Sequence, residues 1–281
     1  MFFLSQKNNN ASNVNPTPTP TPTESVQSTV PLTNTPTPIP HVHSFDSDYV
    51  CTSCGESGHT EGLEYKLNDA ETYYIVTGIG SASGKEVIIP SEHKGLPVRE
   101  IADYAFKNLS KLTKVVIPKT IKKIGTSAFA GSKNLSIIEF NAIECDDCSG
   151  GTFDSSGQDS NGISLTFGND VTRIPANLFN QSQYNDLYAK VTSVTFKGEK
   201  VTEIGIYAFY ECKKLSSITL PKGLKTIKAY AFSQCTSLTS VFFEEPYTWY
   251  AGSTLVAEFG DPQTAATALT STYVGSNLKK E

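Results

Sequence analysis

Ile124-Gly125-Thr126-Ser127-Ala128-Phe129, followed by Leu135-Ser136-Ile137-Ile138-Glu139-Phe140, is one turn of a repeat that runs through most of the chain. Aligned on Phe106, Phe129, Phe153, Phe179, Phe209 and Phe232, successive turns are 23, 24, 26, 30 and 23 residues long. Five positions before each Phe stand Ile101, Ile124, Cys148, Ile174, Ile204 and Ile227. Eight before stand Val98, Ile121, Cys145, Val171, Val201 and Leu224. A second apolar set follows each Phe, as in Leu112-Val115-Ile117, Leu215-Ile218-Leu220 and Leu238-Val241-Phe243. Its last residues alternate apolar and polar, the pattern of a short half-buried strand. Pro118 and Pro221 end their strands, because proline brings no N–H to a ladder. In the two irregular turns, Leu165-Phe167 and Val194-Phe196 come late, so the insertions fall between Phe and strand.

A turn of about 23 residues cannot bury its own apolar face, but stacked turns convert each column into a continuous core. The sequence therefore predicts a repeat solenoid with about seven short parallel strands, one per turn, and with Phe129 and Phe209 almost fully buried. The residues between core positions should point onto the concave sheet face. One outward column reads Val116, Glu139, Thr166, Thr195, Thr219, Phe242. Its neighbour reads Lys114, Ile137, Ser164, Ser193, Ser217, Ser240. This is a carpet of hydroxyls flanked by apolar Ile88, Val116 and Phe242. Serine and threonine are simply acceptable on an exposed sheet, but an exposed Phe often anchors an interface. Thr195, Thr219 and Phe242 are accordingly the candidate protein-contact residues.

The segment I-G-x-x-A-F followed by L-x-x-V-x-I-P resembles the BspA-like leucine-rich repeats of bacterial surface proteins. Ile124 to Phe129 and Leu215-Ser216-Ser217-Ile218-Thr219-Leu220-Pro221 are close matches. Val87-Ile88-Ile89-Pro90 through Val98 resembles that family's first turn, and the stretch from Trp249-Tyr250 to Tyr273 resembles its closing cap. The resemblance implies a right-handed leucine-rich-repeat array capped at both ends, surface exposure and adhesion-type protein binding. It names no ligand. The organisation that follows is a Pro/Thr-rich linker at 1–40, a Cys/His segment at 41–62 and an N-terminal cap at 63–100. The repeats then fill 101–245 and a C-terminal cap 246–281.

The linker holds Pro16-Thr17-Pro18-Thr19-Pro20-Thr21-Pro22, which favours extended polyproline II and has little to bury. Met1-Phe2-Phe3-Leu4 is too short for a signal-peptide core. Either an export signal has been trimmed from this chain or another route is used; the Pro-Thr stalk favours the first, with an extracellular or cell-surface location. No apolar run reaches 18 residues, so no membrane span is expected. With a net charge of −5 and no basic run, nucleic acid is a poor partner; a protein ligand and a monomeric chain are expected.

Six cysteines require a reading. Cys145 and Cys148 fall in core columns, and Cys212 and Cys235 share the column three after Phe. All four are expected to behave as small buried hydrophobes, a Cys212–Cys235 disulfide being the alternative. Cys51 and Cys54 lie outside every column, in a C-x-x-C-G turn near His41, His43 and His59. Cys51, Cys54, His59 and His43 (or His41) have the donor types and spacing for one structural zinc. A Cys51–Cys54 disulfide in a linker remains the other reading. No histidine follows His93, which removes Ser-His and Cys-His dyads from the array. No phosphate loop or nucleophile elbow appears either. The chain reads as a binding module and not an enzyme, with a passive spacer, or more remotely a hydrolase accessory domain, as alternatives.

Overall fold

A computed structural model describes residues 44–46, 49–53, 57–180, 188–244, 248–251, 254–258, 261–272 and 275–280. The 1–40 linker lies outside them. Seven short strands form the principal ladder: β1 (Glu86–Ile88), β2 (Lys114–Ile117), β3 (Ile137–Phe140), β4 (Ile163–Phe167), β5 (Val191–Phe196), β6 (Ser217–Leu220) and β7 (Ser240–Phe243). β1 to β5 pair in parallel as one sheet and β6 pairs with β7 as another, one strand per repeat. Register follows the columns: Ile138 lies opposite Val115 and Leu165, and Phe140 opposite Ile117 and Phe167. The repeat is thus a solenoid, as its periodicity required.

The column Phe side chains are all buried. Their rings stack from turn to turn at 5.3, 5.1, 5.2, 6.1 and 5.2 Å between centroids, and the widest step spans the 30-residue turn. The Ile and Val columns are equally closed, with Cys145 and Cys148 occupying them in the third turn. Both are thiols. Burial raises them beyond any useful thiolate range, Cys148 to about 12, so this C-x-x-C is packing and not redox chemistry.

Left-handed residues frame the column Phe side chains at the described positions, Gly151 (φ 68°) before Phe153 among them. The others two positions before a column Phe are Tyr104 (φ 58°), Ser127 (50°), Asn177 (57°), Tyr207 (55°) and Tyr230 (58°). Two after it are Asn108 (59°), Gly131 (74°), Ser155 (57°), Glu211 (57°) and Gln234 (62°). This alternation turns every second N–H along the stack: Tyr104, Phe106 and Asn108 donate to the carbonyls of Thr126, Ala128 and Ala130 in the next turn. The left-handed cost of about 1–2 kcal/mol per residue is offset because buried main-chain donors find partners.

A second ladder runs on another side of each turn. Leu96–Ile101 pairs with Lys123–Ile124, and Arg173–Ile174, Glu203–Ile204 and Thr226–Ile227 pair in parallel. The motif glycine is set here by close approach. A Cβ on Gly125 would lie 2.3 Å from the Asp103 nitrogen, and one on Gly205 2.5 Å from that of Ala176. At the C-terminal end Leu278–Lys280 pairs antiparallel with Thr226–Ile227 and with Thr248–Ala251, and Trp249 is buried. At the other end, Glu64–Leu67 pairs antiparallel with Tyr74–Gly78, which leads in parallel into Leu96–Ile101.

Candidate binding surfaces on the strand ladder

Side chains alternate along each ladder strand, so one set forms the core and the other an outward face. On β6 and β7, Thr219 lies directly opposite Phe242. Both are exposed: Phe242 keeps 46% of its surface while its neighbour Val241 is buried. Thr195, also exposed, lies opposite Thr166 on β4. No main-chain pairing joins β5 to β6 among the described residues, so Thr195 belongs to a different sheet from the Thr219–Phe242 pair.

The other end of this face differs from the sequence reading. Ile88 and Val116, expected as exposed flanks, are buried. Thr60 and Tyr49 reach this end of the ladder. The Thr60 N–H donates to the Ile88 carbonyl (3.0 Å), its hydroxyl donates to the Glu86 carbonyl (3.1 Å), and it accepts from the Ile88 N–H (2.8 Å). Lys114 Nζ donates to the Tyr49 hydroxyl (2.9 Å), sits over its ring, and pairs with Glu139 (2.8 Å). Desolvation opposes the charge on Glu139, but hydrogen bonds from Lys114 and Tyr49 prevail and hold its carboxyl below the ordinary range. Desolvation likewise works against Lys114, yet Glu139 and Tyr49 raise it. On the strands at this end Ile137 stays open, at 42%.

Of the zinc candidates, Cys54, His41 and His43 lie outside the described residues. Cys51 is buried and bridges antiparallel to Phe45. His59 Nδ1 lies 2.8 Å from the Ser57 hydroxyl, which also accepts from the His59 N–H. Among the described residues no three His, Cys, Asp or Glu side chains converge.

Sequence reasoning missed the packing of Tyr49 on Lys114. Its one trace is a pair of aromatic residues, Phe45 and Tyr49, in an otherwise polar segment.

Residues 82–189 and 184–255 match the family model described as BspA type leucine rich repeat region, in six copies. The chain belongs to that family. Among solved structures it is similar to a leucine rich repeat protein of T. pallidum at 22% identity and a TM-score of 0.38, over 64% of this chain and 68% of that one. It is similar to a leucine rich cell surface protein of Faecalibacterium prausnitzii at 22% identity and 0.37, over 69% and 55%. A leucine-rich repeat protein of Bacteroides ovatus matches at 24% and 0.39, over 65% and 40%. The chain thus spans little more than half of the second relative and two-fifths of the third. No curated protein matches it. BspA-type repeats are generally interaction modules of surface proteins, and no helix among the described residues is long and apolar enough to cross a membrane.

Proposed function

We propose that this chain is a cell-surface or secreted, adhesion-type module that takes a protein ligand on the C-terminal end of its ladder face, at Phe242 with Thr219 and Thr195. The observation that carries this reading is Phe242. A Phe with 46% of its surface open, beside a buried Val241 on the same strand, is an apolar anchor awaiting a partner. The hydroxyl column beside it offers hydrogen bonds without charge, so binding should vary little with salt. The cell-surface description of the F. prausnitzii relative supports the location. The test is binding of the purified chain to a panel of extracellular-matrix proteins by surface plasmon resonance. Phe242→Ala should weaken the binding by at least about 1 kcal/mol, roughly fivefold, with an unchanged melting temperature. A chain that binds none of them is a passive spacer.

We further propose one structural zinc held by Cys51, Cys54, His59 and His43 or His41. The hydrogen bond at Ser57 supports it, since an Nδ1–H donated to that hydroxyl leaves Nε2 of His59 for a metal. Metal analysis should give about one zinc per chain, lost in Cys51→Ser with the array still folded. Full zinc content in that variant would remove the assignment.

A further inference from the structure

Beside the Tyr49–Lys114 contact, a cleft of about 460 Å³ opens between Phe45, Asp46 and Tyr49 on one side and the ends of β2 to β5 on the other. That volume suits a small ligand and not a protein epitope. Its floor is rigid. Asn141, Gly168 and Lys197 occupy the same place in successive turns, and their N–H groups donate to the carbonyls of Ile117, Phe140 and Phe167. Gly168 makes the hollow: a Cβ there would fall 2.3 Å from the Asn141 carboxamide oxygen.

The lining narrows the ligand class. Its charges balance, with Lys114, Lys119 and Lys197 against Asp46, Glu139 and Asp170. Lys114 and Glu139 are engaged with each other at 2.8 Å, and Asp170 with Lys200 at 2.6 Å. A polyanion or a metal gains little from such a site. An extended peptide gains little too, because the β2 to β4 main chains are paired on both sides and leave no edge to extend. What remains is a dense mixture of donors and acceptors around one partly open aromatic. Phe45 stacks on Tyr49 at 6.0 Å, keeps 41% of its surface and lines the cleft. Amide and carboxylate oxygens, amide N–H groups and an ammonium suit hydroxyls, each of which both donates and accepts. An exposed ring suits the C–H face of a pyranose.

We infer that this cleft binds a neutral oligosaccharide, one sugar ring against Phe45 and its hydroxyls on Asn141, Asn169 and Lys197. The inference is independent of the protein ligand at Phe242, which lies on a different sheet.

The test titrates the full chain with neutral tri- to pentasaccharides (cello-, xylo-, manno- and chito-oligosaccharides), read by calorimetry and saturation-transfer NMR. At least one series should bind with a millimolar or tighter Kd. Phe45→Ala and Asn141→Ala should each weaken it by about fivefold or more, and Phe242→Ala should leave it unchanged. Lys197 is exposed, so Lys197→Ala tests the same site without risk to the fold. Absence of binding by all four series overturns the inference. So does binding confined to sulfated or sialylated glycans and abolished by salt, or affinity indifferent to both Phe45→Ala and Lys197→Ala.

Discussion

At the scale of the residue, the column three after Phe explains why a chain of this kind keeps buried cysteines. Ser132 and Ser156 donate their hydroxyls to the carbonyls of Phe106 and Phe129, one turn back. Cys235 does the same with its thiol, 3.1 Å from the Phe209 carbonyl. At these three positions the side chain is a small buried donor as well as a space filler, so serine and cysteine interchange there, while the first turn has Leu109. Cys212 lies beside Cys235; its burial and the neighbouring thiol both hold it protonated, and both residues are thiols and not a disulfide. Cys235→Ser should therefore be nearly neutral. Cys235→Val, similar in volume, removes one of two donors to the Phe209 carbonyl, which keeps the Cys212 N–H at 3.2 Å, and should cost about 0.5–1.5 kcal/mol. Urea unfolding of the two variants checks this; equal stability of both would show that the thiol only fills space. The φ > 0 positions around each Phe were illegible for a related reason. Gly131 and Gly151 mark two of them, but Tyr, Asn, Ser, Glu and Gln hold the others, because main-chain pairing between turns imposes the conformation where the side chain does not ask for it.

At the scale of the element, the strands were legible and their coverage was not. Alternation in Ser217-Ile218-Thr219-Leu220, and in the burial of Ile137 to Phe140, fixes which side faces the core, since a one-residue slip would expose all of it. Nothing in that alternation says that Tyr49 and Thr60 reach Lys114 and Ile88, because those contacts are long-range. The candidate ligand residues were read as one column, yet β5 and β6 are unpaired, and the break leaves no signature within either strand. Where Tyr49 meets the ladder, the Lys114–Glu139 pair gives a pH dependence. Glu139 is lower in the folded chain than unfolded, so its contribution is complete above the ordinary carboxylate range and lost as pH falls through the folded value. Lys114 is higher when folded, so its contribution is complete below the ordinary lysine range and lost as pH rises through its folded value. Both groups are partly solvated, which limits the pair to about 0.5–1 kcal/mol. In hydrogen exchange, the Thr52 and Gly58 amides, bonded to Ser44 and Tyr49, should lose protection in acid before the array does. Glu139→Gln should remove that acid-specific loss; an unaltered acid response would place its origin elsewhere.

At the scale of the whole molecule, each ladder is interrupted once, at different turns. The principal ladder breaks between β5 and β6, where Glu203–Ile204 and Thr226–Ile227 of the second ladder still pair. The second ladder lacks a strand at Cys145–Cys148, where β2, β3 and β4 run unbroken. There Asp147 accepts from the Ala176 N–H at 2.9 Å and pairs with Arg173, which also reaches the Cys145 carbonyl at 2.8 Å. With nearest-neighbour coupling, one surviving ladder beside a continuous core is enough to carry cooperativity across each gap. Lys122 and Lys225 test this, because both stand seven residues before a column Phe and both N–H groups donate one turn back, to Arg99 (2.7 Å) and Thr202 (2.9 Å). Proline at either position removes that donor, at a local cost of about 2–3 kcal/mol. Lys122→Pro strikes where β1 and β2 remain paired, so the array should still melt as one unit. Lys225→Pro strikes where the second ladder alone spans the break. The single tryptophan, Trp249, is buried beyond it and reports the C-terminal end. In Lys225→Pro its fluorescence should change at a lower temperature than the far-ultraviolet circular dichroism, while in Lys122→Pro the two curves should coincide. Coincident curves in both variants would mean that the core alone couples β5 to β6, and that the second ladder contributes nothing to holding the two sheets in one cooperative fold.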